Sequence, residues 1–411
     1  MHFRAVVTIR SARVDTRGAF DMKTIRRLSV LLVLLSTLAL PVPALAARRK
    51  VSAPDDFFVY IGSSKSERTA SKGIYIYRFK AGTGQLTSLG LVKIMNPAFL
   101  AVHPSRRFLY AVNQTADYDT SAVTAFAIDR TTGELTLLNQ VPSRGANPVY
   151  VLLDKTGRYA LVANYLGDSV AAFPLLEDGR LGEASAFVQY RESSVNHPER
   201  PKGAYPHSID ISPDNRFALV TALGLDKLFV YRFDQALGSL AQNDIPFFSI
   251  APGGGPRHIA FDPSGKHVYS MNETAGTVTV FSYNAVDGGL RELQTISTLP
   301  KDFKGKNASA EIEVYPSGKF LYASNRGHDS IAVFAVEPEK GTLTSVENVP
   351  SQGKAPGNFQ FDPTGSYLFV ANENSNNVVV FRVDPKVGRL SSTGQVLEVP
   401  CPQNMVFVAI E

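Results

Sequence analysis

From Asn96 to Gly394 apolar and polar residues alternate with a period of two. They form short runs rich in β-branched and aromatic side chains, broken by Pro, Gly, Asp and Ser. This pattern predicts antiparallel strands joined by tight turns. In one stretch Glu311–Val314 alternates, Pro316-Ser317-Gly318-Lys319 turns and Phe320–Ser324 is β-rich. Ser330–Val336 then alternates again, and Glu339-Lys340-Gly341-Thr342 turns into a short last strand. Helical periodicity is nearly absent beyond the N-terminal segment. The four-strand unit recurs, with its sharpest copies at Pro256–Phe281, Ser309–Phe334 and Pro356–Phe381. The turn before the second strand marks each unit, at Pro104, Lys155, Pro213, Pro263, Pro316 and Pro363, with spacings of 51, 58, 50, 53 and 47 residues.

A repeat of this length decides architecture before chemistry. Six units run from Asn96 to Gly394, and the flanks supply a seventh in two pieces. Phe57–Leu89 carries the later strands but no first one. The orphan Pro402–Phe407 aligns with Pro356–Phe361. The expectation is an all-β, seven-bladed β-propeller whose C-terminal strand joins the first blade and closes the ring. Closure removes the open strand edges that template aggregation. A seven-turn solenoid would not need its missing strand returned at the C-terminus. One domain is expected over residues 56–411, because each blade packs mainly on its neighbours and needs no single large core.

Residues 1–46 lie outside that ring. Lys23, Arg26 and Arg27 precede the apolar run Leu28–Leu40, followed by Pro41, Pro43 and Ala44-Leu45-Ala46. A basic start, a short apolar stretch and a small-residue site predict a secretory signal peptide cleaved near Ala46. The run is short for a membrane span, so no stable membrane insertion is expected after cleavage. An uncleaved anchor is the alternative. Met22 is the better start for such a leader, and 47–55 reads as a linker. The chain is therefore expected in the periplasm or outside the cell.

Removing the leader changes the charge. Of 42 basic and 37 acidic residues, seven and two lie in 1–46, which leaves 35 of each. Nucleic acid as a partner loses its global support. Cys401 is the sole cysteine, so no intramolecular disulfide is expected. There is no C-x-x-C, H-E-x-x-H or acidic calcium loop to suggest a metal, and no G-x-S-x-G to suggest a serine nucleophile.

Function is expected where the copies differ. One variable position follows the proline that opens the first strand, and it includes Ala98, Val149, His207, Arg257 and Gly357. Another follows the end of the second strand, and it includes Gln114, Tyr165, Glu273, Arg326 and Glu373. The two strands form a hairpin, so both positions face one mouth of the ring. Asn113, Asn164, Asn272, Asn325 and Asn372 end the second strand in five copies and are expected to bond the adjacent turn. The ionisable set His207, Arg257, His258, Glu273, Glu311 and Arg326 is different, because charges gathered at a pore must serve each other or a ligand. For His258 and Glu311 an ion pair or strand-edge hydrogen bond is the alternative to substrate contact. Glu373 is read as solvated. Arg suits a carboxylate, phosphate or developing oxyanion, and Glu or His can take a proton from water.

Gly254-Gly255-Pro256-Arg257-His258, Met271-Asn272-Glu273 and Ser324-Asn325-Arg326-Gly327-His328-Asp329-Ser330-Ile331 resemble the seven-bladed propeller lactonases. That family includes propeller-type 6-phosphogluconolactonase and the fungal carboxy-muconate lactonizing enzyme. The resemblance spans the ring. It implies hydrolysis of a small-molecule sugar lactone, without metal or cofactor, by catalytic residues His207, Arg257, Glu273 and Arg326, with His258 and Glu311 binding substrate. Glu273 or His207 would activate water, and Arg257 and Arg326 would hold the anion and the oxyanion. Three positions depart from the family pattern. Tyr205 stands where a His-x-His begins, Ala222 replaces an acid, and Gly357 replaces an arginine. An exported chain would suit an unphosphorylated aldonolactone. A non-catalytic propeller of the Tyr-Val-Thr-Asn repeat type and a lactonizing cycloisomerase are the alternatives.

Overall fold

The computed structural model describes residues 55–64, 71–192 and 203–410. The expected leader, with its cleavage site, and nearly all of the expected linker lie outside them. Among the described residues no helix is long and apolar enough to cross a membrane.

Among the described residues, twenty-eight strands form seven four-stranded antiparallel sheets. In each the strands follow one another from the channel outward. Blade one is completed across the termini, where Pro402–Ala409 lies innermost beside Asp56–Ser63, followed by Ile74–Lys80 and Gln85–Val92. Blades two to seven span 97–142, 148–189, 206–249, 256–297, 308–350 and 356–398. The innermost strands touch their neighbours in sequence, and the C-terminal strand touches those of blades two and seven. The ring is therefore closed as the sequence predicts.

The repeat also explains how blades adhere. Second strands are buried on both faces, and their apolar side chains interleave with the next blade. The fully buried Tyr60, Tyr110 and Tyr322 donate across to the carbonyls of Gly133, Gly179 and Gly388 in the following blades, at 2.9, 2.9 and 2.5 Å. Those glycines have positive φ, and a Cβ on any of them would strike a phenylalanine of the blade before.

The mouth is built by a recurring entrance to the first strand. Asn96, Asn147, Tyr205, Gly255, Ala355 and Cys401 each precede the opening proline, and all are left-handed, with φ between +42 and +65°. Several are capped by the preceding blade. The amides of Tyr205, Gly255, Ala355 and Cys401 donate to Asp168, Asp226, Asp329 and Asn376 at 2.8–2.9 Å, and each acceptor is itself left-handed. Short polar side chains are the non-glycine residues that tolerate this region best.

The asparagines ending the second strand also act between blades. Asn113, Asn164, Asn325 and Asn372 donate to the carbonyls of Met95, Ser143, Thr298 and Ser351, in the connectors that lead into their own blades. Asn272 instead bonds Thr277 and Thr279 within its sheet.

Candidate active site

The residue after each opening proline sits in a β-bulge. In blade four Pro206 pairs with Ala222 and Ser208 with Thr221, so His207 has no partner in the ladder. Ala98, Val149 and Gly357 are skipped in the same way. In blade five the gap holds both Arg257 and His258, and in blade six both Ala310 and Glu311. Bulges re-aim side chains, and here they turn the first variable position into the channel mouth. The second position is drawn alongside by one backbone bond. The amides of Gln114, Tyr165, Glu273 and Glu373 donate to the carbonyls of Asn96, Asn147, Gly255 and Ala355 at 2.7–3.0 Å.

The mouth encloses a cavity of about 650 Å³. His207, Arg257, His258 and Arg326 line it, with Tyr165, Asn358 and Glu373. Glu273 is 3 % exposed and lies behind the two arginines. Its Oε2 accepts from Arg257 Nη1 at 2.6 Å and from Arg326 Nη2 at 2.9 Å. Arg326 is further fixed by Nε donating to Ala308 O at 3.2 Å. The Arg257 carbonyl accepts from Thr221 Oγ1 at 2.6 Å, which pins the blade-five bulge to blade four.

Electrostatics separate the two guanidiniums. Burial pulls the Arg257 pKa down, and repulsion from Arg326 adds to this against the attraction of Glu273. Burial also works against the charge on Arg326, but Glu273 and Glu373 outweigh it and its pKa rises. His207 is held well below the ordinary histidine range, first by burial and then by the neighbouring Arg257. It is therefore neutral near pH 7. Its ring packs edge-on against Tyr165 and His258, with centroids 5.3 and 5.1 Å away, and its Nδ1 has no hydrogen-bond partner.

His258 and Glu311 lie deeper. Glu311 Oε1 meets His258 Nδ1 at 3.1 Å and accepts the Ile312 amide, while Oε2 accepts from Asn358 Nδ2. A carboxylate can only accept, so His258 carries a proton on Nδ1. Its Nε2 is buried and unpartnered. Glu311 itself is set back from the mouth. It lines a second cavity of about 780 Å³ toward the opposite end of the channel. There Glu313 is pushed well above the usual carboxylate range by burial and by Glu311.

Glu373 is placed differently from its sequence reading. It lines the mouth, with Oε1 4.0 Å from Arg326 Nη1, because Gly357 leaves room for it. Asn358, which joins Glu311 to the mouth, carried no sequence signal beyond its repeat position. Among the described residues no cluster of His, Cys, Asp or Glu is arranged to hold a metal. Two cations on one buried carboxylate, beside a neutral histidine, can bind a carbonyl oxygen or carboxylate and take a proton from water.

Comparison with known proteins points the same way. The family model described as "Lactonase, 7-bladed beta-propeller" matches residues 58–407. A 6-phosphogluconolactonase of Bacillus subtilis is 35% identical over 304 residues, covering 74% of this chain and 84% of that protein. One from Formosa agariphila is 32% identical over 74% of this chain and 86% of its own length. Among solved structures, the periplasmic gluconolactonase of Pseudomonas aeruginosa superposes with a TM-score of 0.81 at 34% identity, over 87% of this chain and all of that one.

Proposed function

The chain belongs to the seven-bladed β-propeller lactonases, and from that premise we propose that it is an exported enzyme opening a sugar lactone by general-base hydrolysis. The lactonase activity is of the 6-phosphogluconolactonase type that its relatives bear in name. Export is supported by the leader-like pattern of residues 23–46 and by the similarity to a periplasmic gluconolactonase.

The observation that carries the mechanism is the clamp of Arg257 and Arg326 on Glu273 beside an unpaired, neutral His207. Glu273 is a poor candidate for the base, because two guanidiniums occupy one of its oxygens and it stands behind them, off the cavity wall. It is a positioning residue. His207 removes a proton from water, and the hydroxide attacks the lactone carbonyl. The oxyanion forms against Arg257 and Arg326, which hold their charge in place before the reaction begins. Collapse breaks the ring C–O bond. The departing alkoxide recovers the proton from His207, and a hydroxy acid leaves. His258, its ring held by Glu311, forms part of the cavity wall beside the substrate, so Glu311 acts through His258.

The test is hydrolysis of glucono-δ-lactone and its 6-phospho form by the purified protein, above the spontaneous rate, alongside Arg257→Ala and Glu273→Gln. Turnover that falls in both variants supports the reading. A folded protein inert on both lactones overturns it in favour of a binding propeller.

A further inference from the structure

The charge on the cavity wall bears on which lactone enters. Glu373 follows the second strand of blade seven (Tyr367–Asn372) and opens a short 3₁₀ turn, Glu373–Ser375. Its carboxylate occupies the space over Gly357, where a Cβ would overlap Oε1. Gly357 does not have the positive φ that demands glycine. What it contributes is the missing side chain, since any larger residue would evict Glu373.

From that place Glu373 supports the charge on both Arg326 and Arg257. The described residues at the mouth thus bring two guanidiniums and two carboxylates, Glu273 and Glu373. No other Lys or Arg among them lines the cavity. With His207 neutral, the two guanidiniums and two carboxylates of the described residues balance. The remaining wall offers uncharged polar groups, including Asn96, Gln114, Asn147 and Gln403, which suit hydroxyls.

A neutral lactone needs nothing more. Its negative charge appears only on the carbonyl oxygen as the transition state forms, which is where the arginines stabilise it. A phosphoryl group instead carries close to two negative charges throughout. It would meet Glu373 at the wall, whose carboxylate already stands 4.0 Å from Arg326 Nη1. We propose that Glu373, admitted by Gly357, is a specificity-determining residue that makes this site take an uncharged, hydroxylated lactone and reject its phosphorylated counterpart. The proposal rests on the lactonase reading.

The experiment measures kcat/KM on glucono-δ-lactone and 6-phosphoglucono-δ-lactone for the wild type, Glu373→Gln and Gly357→Arg. The same three proteins are titrated calorimetrically with gluconate and 6-phosphogluconate. The wild type should favour the uncharged lactone. In Glu373→Gln the phosphorylated-to-unphosphorylated ratio should rise about tenfold, the scale of one removed charge at a partly solvated wall. Most of the rise should come through KM for the phosphorylated substrate. Gly357→Arg, which displaces Glu373 and adds a cation, should raise the ratio further, and added salt should shrink the difference between wild type and Glu373→Gln. A wild-type preference for the phosphorylated lactone, or an unmoved ratio in Glu373→Gln, overturns the proposal. If no protein turns over either lactone, the lactonase reading fails and calorimetry still decides the charge rule. Glu373→Gln must then tighten 6-phosphogluconate about tenfold more than gluconate, and equal effects on both refute it.

Discussion

Replacing Glu273 by Gln separates a base from a clamp. The substitution keeps the shape and one carbonyl oxygen but removes the charge that two guanidiniums share. Their contacting nitrogens lie 2.6 and 2.9 Å from Oε2, so they are at most about 5.5 Å apart. At that distance two unit charges repel by about 3 kcal/mol at the effective dielectric of a protein site. Breaking a buried pair on one side costs about 3–5 kcal/mol. Because Gln still accepts one N–H, a loss of about 3 kcal/mol in unfolding free energy is expected, read from denaturant titration. The arginines should splay, and kcat should drop about 100-fold while staying above the spontaneous rate. The pH profile is the sharper readout. Glu273 raises the pKa of His207, against burial and Arg257, which lower it. Removing Glu273 therefore lowers that pKa further and moves the acid limb of kcat/KM to lower pH. In the wild type the limb already lies below the ordinary histidine value. Acid release is followed by pH-stat between about pH 4.5 and about 7.5 with the spontaneous rate subtracted. A folded Glu273→Gln with no turnover above that rate would make Glu273 the base. An unmoved acid limb would remove His207 from the role.

Other consequences follow from the same contacts. Asp210 is buried, and desolvation pushes its pKa up to about 6 despite hydrogen bonds from Tyr150 and Ser208. Its folded pKa exceeds the unfolded one, so the stability it contributes is complete below about pH 4 and is lost as pH rises through about 6. Between those limits the wild type should lose about 3 kcal/mol relative to Asp210→Asn, and equal pH slopes in the two proteins would contradict the shift. Asp226→Ala removes the acceptor for the Gly253 and Gly255 amides and places Ala in a left-handed position. It should cost about 3 kcal/mol and lower kcat about tenfold through Arg257, two residues on. A stability loss with kcat intact would show that the cap does not position the site. Truncation before Cys401 deletes the strand paired with Asp56–Ser63. The shortened chain should aggregate during refolding, and a soluble protein with the wild-type melting temperature would refute ring closure as a source of stability.

The ring was legible in the sequence because its signals are local. Turn residues at regular spacing and an orphan strand at Pro402–Phe407 settle the blade count without any knowledge of packing. His207, Arg257 and Arg326 were legible because they break a repeat that elsewhere uses small or amide residues. Depth was not legible. Glu311 and His258 occupy the same repeat position in adjacent blades, yet His258 reaches the mouth and Glu311 the opposite cavity. Both sit in the same two-residue gap of their ladders, so neither strand register nor composition separates them. The bulges depend on left-handed residues before proline. Asn96, Asn147 and Gly255 are residue types that favour that conformation, whereas Tyr205, Ala355 and Cys401 are not. Glu373 looks like a solvated turn residue until Gly357, 16 positions earlier in the chain and adjacent in space, is seen to make room for it.

These conformations have a cost that bears on how the site stays rigid. A non-glycine residue in the left-handed region is uphill by about 1–2 kcal/mol, and Tyr205, Ala355 and Cys401 all accept it. Each is held by an acceptor on the blade before it, namely Asp168, Asp329 and Asn376, which is left-handed in turn. The entrances to blades four, five, seven and one are therefore fixed in part by the blade before. The entrance to blade four is set by blade three, that of blade five by Asp226 of blade four, and that of blade one by Asn376 of blade seven. The arginine clamp adds a second layer, since Arg257 and Glu273 come from blade five and Arg326 from blade six. Strained backbone persists where surrounding structure over-determines it, and here the determining structure runs around the ring. The C-terminal strand thus does more than cover an edge. By returning a constraint to blade one, it lets that entrance too be fixed from outside its own sheet. Electrostatic preorganisation of the kind the arginines provide requires that fixity.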